Sequence, residues 1–313
     1  MFNEPLSRQA IINSINNDAS KFFNNLRLFS DWSLLSDTFI SNLNRAVLFM
    51  MVKNEGDIIF YNLEHHYRLG FRRFFVLNNL SKDHTENELK RFSDLYPDIQ
   101  FFCKNDLQCG VSPAKKMLDL QEIFLKKFYD VPGFPEPEWA FFIDADEFLT
   151  CAVKQHDDAI QQFNQQLANP DIKLLATHQI CCASKRINEF SETGNPFKLY
   201  PHVSTHLNPL NFKSAYRLQH NFEIQNGNQF VKDFPYQIDN IGVMAETGFF
   251  LFHFPLRSLE QYRRKLIHNY YAHRRIHLKN DFMTFWQQLY NNFEKNGDRF
   301  LVELFEKYIN DCR

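Results

Sequence analysis

Three carboxylates stand within four residues at Asp144-Ala145-Asp146-Glu147, directly after the apolar run 139–143 (WAFFI). Residues two apart on an extended chain face the same way, so Asp144 and Asp146 present two carboxylates to one point beyond the end of that run. Left alone, the two would repel and one pKa would rise. A divalent cation removes the repulsion. Mg²⁺ and Mn²⁺ prefer oxygen ligands, and one or two carboxylates completed by substrate phosphates is a common way to hold them. The blander reading is a solvated acidic loop or a helix N-terminus, because D-x-D by itself is common. Placement at a strand end favours the metal.

Other candidates also follow apolar runs. Lys53-Asn54-Glu55 follows Ala46–Val52, and Asn78-Asn79-Leu80-Ser81-Lys82-Asp83 follows 74–77. Both are short polar clusters able to hydrogen-bond a ribose and a base, although the same residue types favour turns and caps anyway. His253 closes the run 248–254 (GFFLFHF). Two carboxylates with an imidazole suit Mn²⁺ better than Mg²⁺, while a lone strand-end histidine is more often structural. Arg257, Ser258 and the basic residues Arg263, Arg264 and Lys265 come next. They read as a diphosphate holder at a helix N-terminus or as a solvated helix face.

The elements that must position these residues alternate. Ala46–Val52 (AVLFMMV) is apolar throughout, as expected of a strand buried on both faces. Helical spacing over 57–69 ends at Gly70, a C-terminal glycine. A second strand over 74–77 leads to Asp83 and Glu86, spaced as a capping box, and to a helix whose apolar face is Leu89, Phe92 and Leu95. Pro97 stops that helix. A third strand covers 99–103. Met117, Leu120, Phe124 and Phe128 stripe a third helix, and 139–143 is the fourth strand. Strand–helix alternation implies a parallel sheet with right-handed crossovers, where ligands sit at the carboxyl ends of the strands. Beyond residue 150 the rhythm weakens: 172–176 and 248–254 read as strands, 183–245 shows no period, and 257–309 reads as helices, the first opened by Ser258 with Gln261 three residues on.

Composition narrows the class. The chain has 313 residues, 44% apolar and 23% charged, as for an ordinary globular protein. With 35 Phe and 9 Gly, its core should be rich in aromatics. A formal net charge of −2 gives no global pull towards nucleic acid or an anionic surface. The six cysteines, among them the adjacent Cys181 and Cys182, lack C-x-x-C spacing, so no zinc site is indicated. The polar first residues read as no signal peptide, and no apolar run reaches the ~20 residues of a membrane span. A reduced, cytoplasmic protein is expected, able to touch a membrane peripherally from its inner face.

The stretch MMVKNEGDIIFYNLEHHYRLGFRRFFVLNNLSKDHT, followed by WAFFIDADEFL, resembles the opening of glycosyltransferase family 2-like proteins and of the related family 92. There a strand ending in vKNE leads to a helix with a paired hH and a glycine, then to a strand into dN-S-D, and later to fiD-x-DEF. The tail HFPLRSLEQYRRKL resembles a further element of the same proteins. The likeness covers residues 45–150 well and 248–266 moderately. Between them Lys213 and His220 match a lysine and a histidine of the acceptor half, whereas Cys182-Ala183-Ser184 replaces a Phe-Gly-Ser.

The resemblance implies a GT-A fold: an α/β, Rossmann-like, mostly parallel sheet flanked by helices, with a mainly helical C-terminal extension. It divides the chain into a helical lead-in (1–44), a nucleotide-sugar and acceptor domain (45–255) and a helical extension (256–313). It implies a nucleotide-sugar donor and Mn²⁺ or Mg²⁺ bridging its diphosphate, with Asp144 and Asp146 at the metal, Asp144 through the ribose, and His253 as third ligand. Lys53, Asn54, Glu55, Asn78 and Asp83 would line the nucleoside pocket, and Arg257 and Lys265 would face the diphosphate. Glu147 would support the metal loop. Transfer in family 2 usually inverts the anomeric centre and needs a general base, for which Glu192 and Glu246 are the candidates. By analogy the acceptor is a glycan or lipid-linked glycan of the cell surface, such as a lipopolysaccharide or capsule precursor.

Rival readings fare less well. A nucleotidyltransferase would also need two acids and a metal, but it opens with a Gly-rich basic loop, and KNEGD has one glycine. A non-catalytic nucleotide-sugar-binding protein of the same fold would not need the acidic pair. A dehydrogenase lacks G-x-G-x-x-G after any strand. Nucleic-acid binding has only the basic stretch 257–279 in its favour.

Overall fold

The computed structural model describes Asn13 and residues 38–106, 113–153, 156–184, 187–203, 212–218, 223–224, 231–232, 238–276 and 281–311. The expected helical lead-in lies mostly outside these residues. Its described end, Ser41–Arg45, is a 3-10 turn.

The chain then runs β1 (Ala46–Val52), α1 (Ile59–Leu69), β2 (Arg73–Asn78), α2 (Thr85–Leu95), β3 (Gln100–Asn105), α3 (Pro113–Lys127), β4 (Trp139–Phe142), β5 (Glu147–Cys151), α4 (His156–Ala168) and β6 (Leu174–Ala183). It continues through α5 (Pro196–Leu199), β7 (His202–Val203), β8 (Phe212–Arg217), β9 (Glu223–Ile224), β10 (Val231–Lys232), β11 (Ile241–Val243), β12 (Phe249–His253), α6 (Leu259–Ile276), α7 (Asp281–Asn296) and α8 (Asp298–Asp311).

The main sheet has the order β3-β2-β1-β4-β8-β6-β12-β5. Its first four strands are parallel, with Phe49 level with both Phe75 and Phe142. This half is Rossmann-like and matches the alternation read from sequence. The other half departs from a mostly parallel sheet: β8 joins β4 and β6 antiparallel, and β12 joins β5 antiparallel. The fold is thus mixed α/β. The strands β5 and β8 were not foreseen.

Aromatic rings fill the core of the parallel half. Phe49 stacks on Phe142 at 5.1 Å and meets Phe124 edge-on at 5.7 Å. Burying each such side chain contributes about 1.5–3 kcal/mol. Gly70 ends α1 at φ 129°, where an added Cβ would lie 2.3 Å from the Ile40 carbonyl oxygen, so a side chain there is excluded. Two local expectations need correction. Leu95 is 55% exposed, because α2 ends there and Tyr96 instead packs against Phe92 and Tyr67. Asp83 forms no box with Glu86; its Oδ1 accepts from Thr85 N at 3.0 Å and its Oδ2 from Gly56 N at 3.1 Å.

Residues Met1–Asp106, Pro113–Ile180 and Leu207–His253 make one compact unit, and Leu107–Ser112, Cys181–His206 and Phe254–Arg313 a second. In the second, α6, α7 and α8 pack around Leu266, Trp286, Leu301 and Phe305, with Tyr270 and Tyr290 stacked at 3.9 Å. Ser258 Oγ accepts from Gln261 N at 3.0 Å, the cap expected from their spacing. Among the described residues no helix is long and apolar enough to cross a membrane.

In the first unit β5 ends the strand order, so among the described residues one side of its backbone has no strand partner. Helix α1 supplies the bonds. Leu149 N donates to His66 Nε2 at 3.2 Å, and His65 Nε2 donates to Leu149 O at 2.8 Å. Because His66 Nε2 accepts, its proton sits on Nδ1, which faces Asn62 O at 2.9 Å and Asn62 Oδ1 at 3.0 Å. Burial lowers the His65 pKa to about 4 and holds His66 well below the ordinary 6.5.

Both histidines are therefore neutral when folded, while the unfolded chain takes up protons below about pH 6.5. Stability should fall as pH drops from about 6.5 towards 4, by roughly 2 kcal/mol for each histidine at pH 5 relative to pH 7.5. Denaturant midpoints across that range check this, and His65→Gln should make the dependence shallower.

Candidate active site

The acidic turn joins β4 to β5. Glu147 N donates to Asp144 O at 3.0 Å, and the Glu147 carboxylate reaches back to accept from Asp144 N at 2.9 Å. Ala145 points into the core and is 3% exposed. From α1, the buried Asn62 donates Nδ2 to Ala145 O at 3.0 Å and Glu147 O at 2.6 Å. The turn's own carbonyls are thus fixed to a helix.

Three carboxylates this close need a countercharge. The buried Lys213, on β8, provides it: Nζ lies 2.7 Å from Asp144 Oδ2 and 3.2 Å from Glu147 Oε1. Burial alone would lower the lysine pKa, but the Asp144 and Glu147 carboxylates outweigh it and hold the ammonium above its usual range. Burial raises the Glu147 pKa, with Lys213 opposing and Asp144 adding to the rise. Gln179 Nε2, on β6, also donates to Glu147 Oε1. Lys213 therefore belongs to the acidic turn, whereas the sequence resemblance put it in the acceptor half. The signal available was electrostatic: a buried third acid beside a D-x-D demands a nearby cation.

His253 comes to the same place. Strand β12 pairs antiparallel with β5, setting His253 level with Glu147. Its Nε2 lies 3.6 Å from Asp146 Oδ2, although 107 residues separate the two (253 − 146). Both are largely shielded, at 20% and 5% side-chain exposure. Among the described residues no group of three or more His, Cys, Asp or Glu side chains is placed to hold a metal ion. Asp146 and His253 form a pair with the right donor atoms, and Asp144, about half exposed, is engaged by Lys213.

The clusters after β1 and β2 are brought together at one edge of the sheet. Asn54 N donates to Ser81 Oγ at 2.9 Å, Lys82 N to Asn54 Oδ1 at 2.7 Å, and Glu55 N to Thr85 Oγ1 at 2.9 Å. Asn78 is buried; its Nδ2 donates to Asn105 Oδ1 at 3.0 Å and its Oδ1 accepts from Ser81 N at 3.2 Å. Asn78 and Asp83 thus spend polar atoms on shaping the two loops. Lys53 lies half-buried beside them. At the end of β3, unforeseen from sequence, a buried pair joins Lys116 Nζ to Asp106 Oδ2 at 2.5 Å.

The remaining candidates are carried by other elements. Glu246, half-buried, sits in the 3-10 turn before β12. Arg257, Lys265 and Glu192 belong to the second unit. There Arg257 is buried and donates Nη1 to Phe254 O at 3.0 Å, and the exposed Glu192 accepts from Asn188 Nδ2 at 2.8 Å. Lys265 is half-buried on α6, and its neighbour Arg263 is ion-paired with Asp298 at 2.7 Å. His220 lies outside the described residues.

Removing the ammonium would strand Glu147 as a buried, uncompensated charge. Lys213→Met should cost about 3–5 kcal/mol at pH 7.5. Because Glu147 then folds more readily in its protonated form, the deficit against wild type should narrow at pH 5. Paired denaturant titrations at the two pH values measure both effects.

No family model matches the chain, and no curated protein matches it. Among solved structures it is similar to a mannosyltransferase, PcManGT from Pyrobaculum calidifontis, in complex with GDP-Man and Mn²⁺. The identity is 15% and the TM-score 0.32, over 54% of this chain and 47% of that one. The match spans about half the length of that protein, and the chemistry of the present site rests on its own residues.

Proposed function

We propose that the chain is a metal-assisted glycosyltransferase, moving a sugar from a nucleotide-sugar donor to an acceptor hydroxyl. The observation that carries this reading is the approach of His253 to Asp146, 3.6 Å apart, in an acidic turn at the carboxyl end of a parallel strand. Ligands of such sheets bind at that edge, and the polar loops after β1 and β2 share it.

In this reading the loops at 53–55 and 78–83 form the nucleoside pocket, with Asn78 and Asp83 fixing its walls and Lys53, Asn54 and Glu55 lining it. Asp144, ion-paired with Lys213, takes a ribose hydroxyl. Asp146 and His253 would hold Mn²⁺ or Mg²⁺ together with donor phosphate oxygens, an arrangement these ions commonly use. When bound, the ion supplies Lewis-acid stabilisation to the leaving diphosphate. The family resemblance assigns Arg257 and Lys265 to that diphosphate, and Glu246 or Glu192 to deprotonating the acceptor hydroxyl. Inversion at the anomeric carbon, a cell-surface glycan or lipid-linked glycan as acceptor, and a cytoplasmic site of action follow from the family resemblance.

The test is free-nucleotide release from UDP-, GDP- and CMP-sugars with Mn²⁺ or Mg²⁺. Excess EDTA should abolish release. Asp146→Ala should lower it at least about 100-fold, with an unchanged unfolding midpoint, and His253→Ala should weaken Mn²⁺ binding roughly 10–100-fold. Full release in EDTA, or from Asp146→Ala, would sink the reading.

A further inference from the structure

His66 of the HH motif and the asparagine one turn before it take no part in the chemistry just described, yet they are among the most shielded polar groups of the first unit. Asn62 and His66 are both 0% exposed. Spaced i, i+4, they share one face of α1, and that face meets the acidic turn and β5.

The bonds form a directed chain. His66 accepts from Leu149 N through Nε2, which fixes its proton on Nδ1. That proton is shared between Asn62 O and Asn62 Oδ1. With its oxygen held by His66, the Asn62 amide cannot flip, and its Nδ2 must point at Ala145 O and Glu147 O. Those carbonyls flank Asp146. A flipped amide would set oxygen against two carbonyl oxygens.

We infer that Asn62 and His66 are positioning residues, which hold the acidic turn in the conformation that presents Asp144 and Asp146 to the metal and donor. The consequence for metal and donor rests on the function proposed above; the ordering of the turn does not. The alternative is plain packing, since the His66 ring also lies against Phe71 and Phe148, at 5.7 and 6.2 Å between centroids.

Two substitutions separate these roles. His66→Phe keeps an aromatic ring in that space but neither hydrogen bond. His66→Gln loses the ring but retains a donor and an acceptor. Asn62→Ala removes the contact with the turn directly; should it fail to fold, Asn62→Ser, which keeps one donor, is read in its place. Two measurements are made on the full chain. One is hydrogen exchange at the amides of Asp144 and Glu147, whose acceptors lie within the turn itself; Asn62 Nδ2 also reaches Asp144 O at 3.5 Å, so the Asp144 amide is the cleaner probe in the Asn62 variants. The other is Mn²⁺ affinity in the presence of UDP or GDP, read from the paramagnetic signal of free Mn²⁺.

In Asn62→Ala and His66→Phe, exchange at both amides should quicken about tenfold or more while β1 and β2 stay protected. Mn²⁺ affinity should fall roughly 10–100-fold, and His66→Gln should stay near wild type in both measurements. Unchanged exchange at Asp144 and Glu147 overturns the inference, as does quickened exchange with unchanged Mn²⁺ affinity, or a His66→Phe variant that matches wild type. If wild type itself binds no Mn²⁺ with either nucleotide, the functional reading fails instead, and the positioning of the turn is then decided by the exchange rates alone.

Discussion

The first unit is organised around an electrostatic constraint: three carboxylates in four residues, one of them wholly buried, at the end of a strand. Glu147 is 1% exposed, and an isolated carboxylate there would be neutral or would cost several kcal/mol. Lys213 makes the arrangement tenable, and the sheet topology is what delivers it. Strand β8 lies antiparallel beside β4, with Trp139 opposite Arg217 and Ala140 opposite Tyr216. Continuing that register brings Lys213 alongside the end of β4. Had the sheet stayed parallel past β4, the next strand would have needed a crossover, and its side chains at this edge would have followed a different order.

The same turn has a second demand, on its backbone. An edge strand leaves N–H and C=O groups without a ladder, and leaving buried backbone groups unmade is costly. Helix α1 meets this with side chains: His65 and His66 bond to Leu149, and Asn62 bonds to the turn. Helix, edge strand and acidic turn are therefore one polar assembly inside an apolar shell of Leu63, Leu149 and Phe148.

At the neighbouring strand ends, two non-glycine residues, Asn54 and Leu80, take left-handed conformations at φ 54° and 55°. Asparagine tolerates this; for leucine it costs on the order of 1 kcal/mol. The cross-links between the two loops, Lys82 N to Asn54 Oδ1 and Asn54 N to Ser81 Oγ, hold both in place, and Leu80 N bonds to Asn78 O at 3.0 Å within the second loop. A pair of loops so tied gives a fixed rim rather than two independent turns.

Much of this is legible in the chain itself. The continuous apolar runs at 46–52 and 139–143, the helix ending at Gly70 and the acids after WAFFI follow from hydrophobic period and local backbone chemistry, which neighbouring residues decide. The sequence could also say that D-x-D-E needs a cation. It could not say that Lys213, 69 residues beyond Asp144 (213 − 144), supplies one, that His253 stands beside Asp146, or that EFLTC is an edge strand held by two histidines of α1. Nor could the polar, aperiodic stretch from 183 to 245 announce the central strand β8, because a strand that short takes its place from its neighbours and not from its own pattern. Local order is written in nearest-neighbour preferences; which distant charges meet is settled only when strands choose partners and registers, and that choice belongs to the packed sheet as a whole.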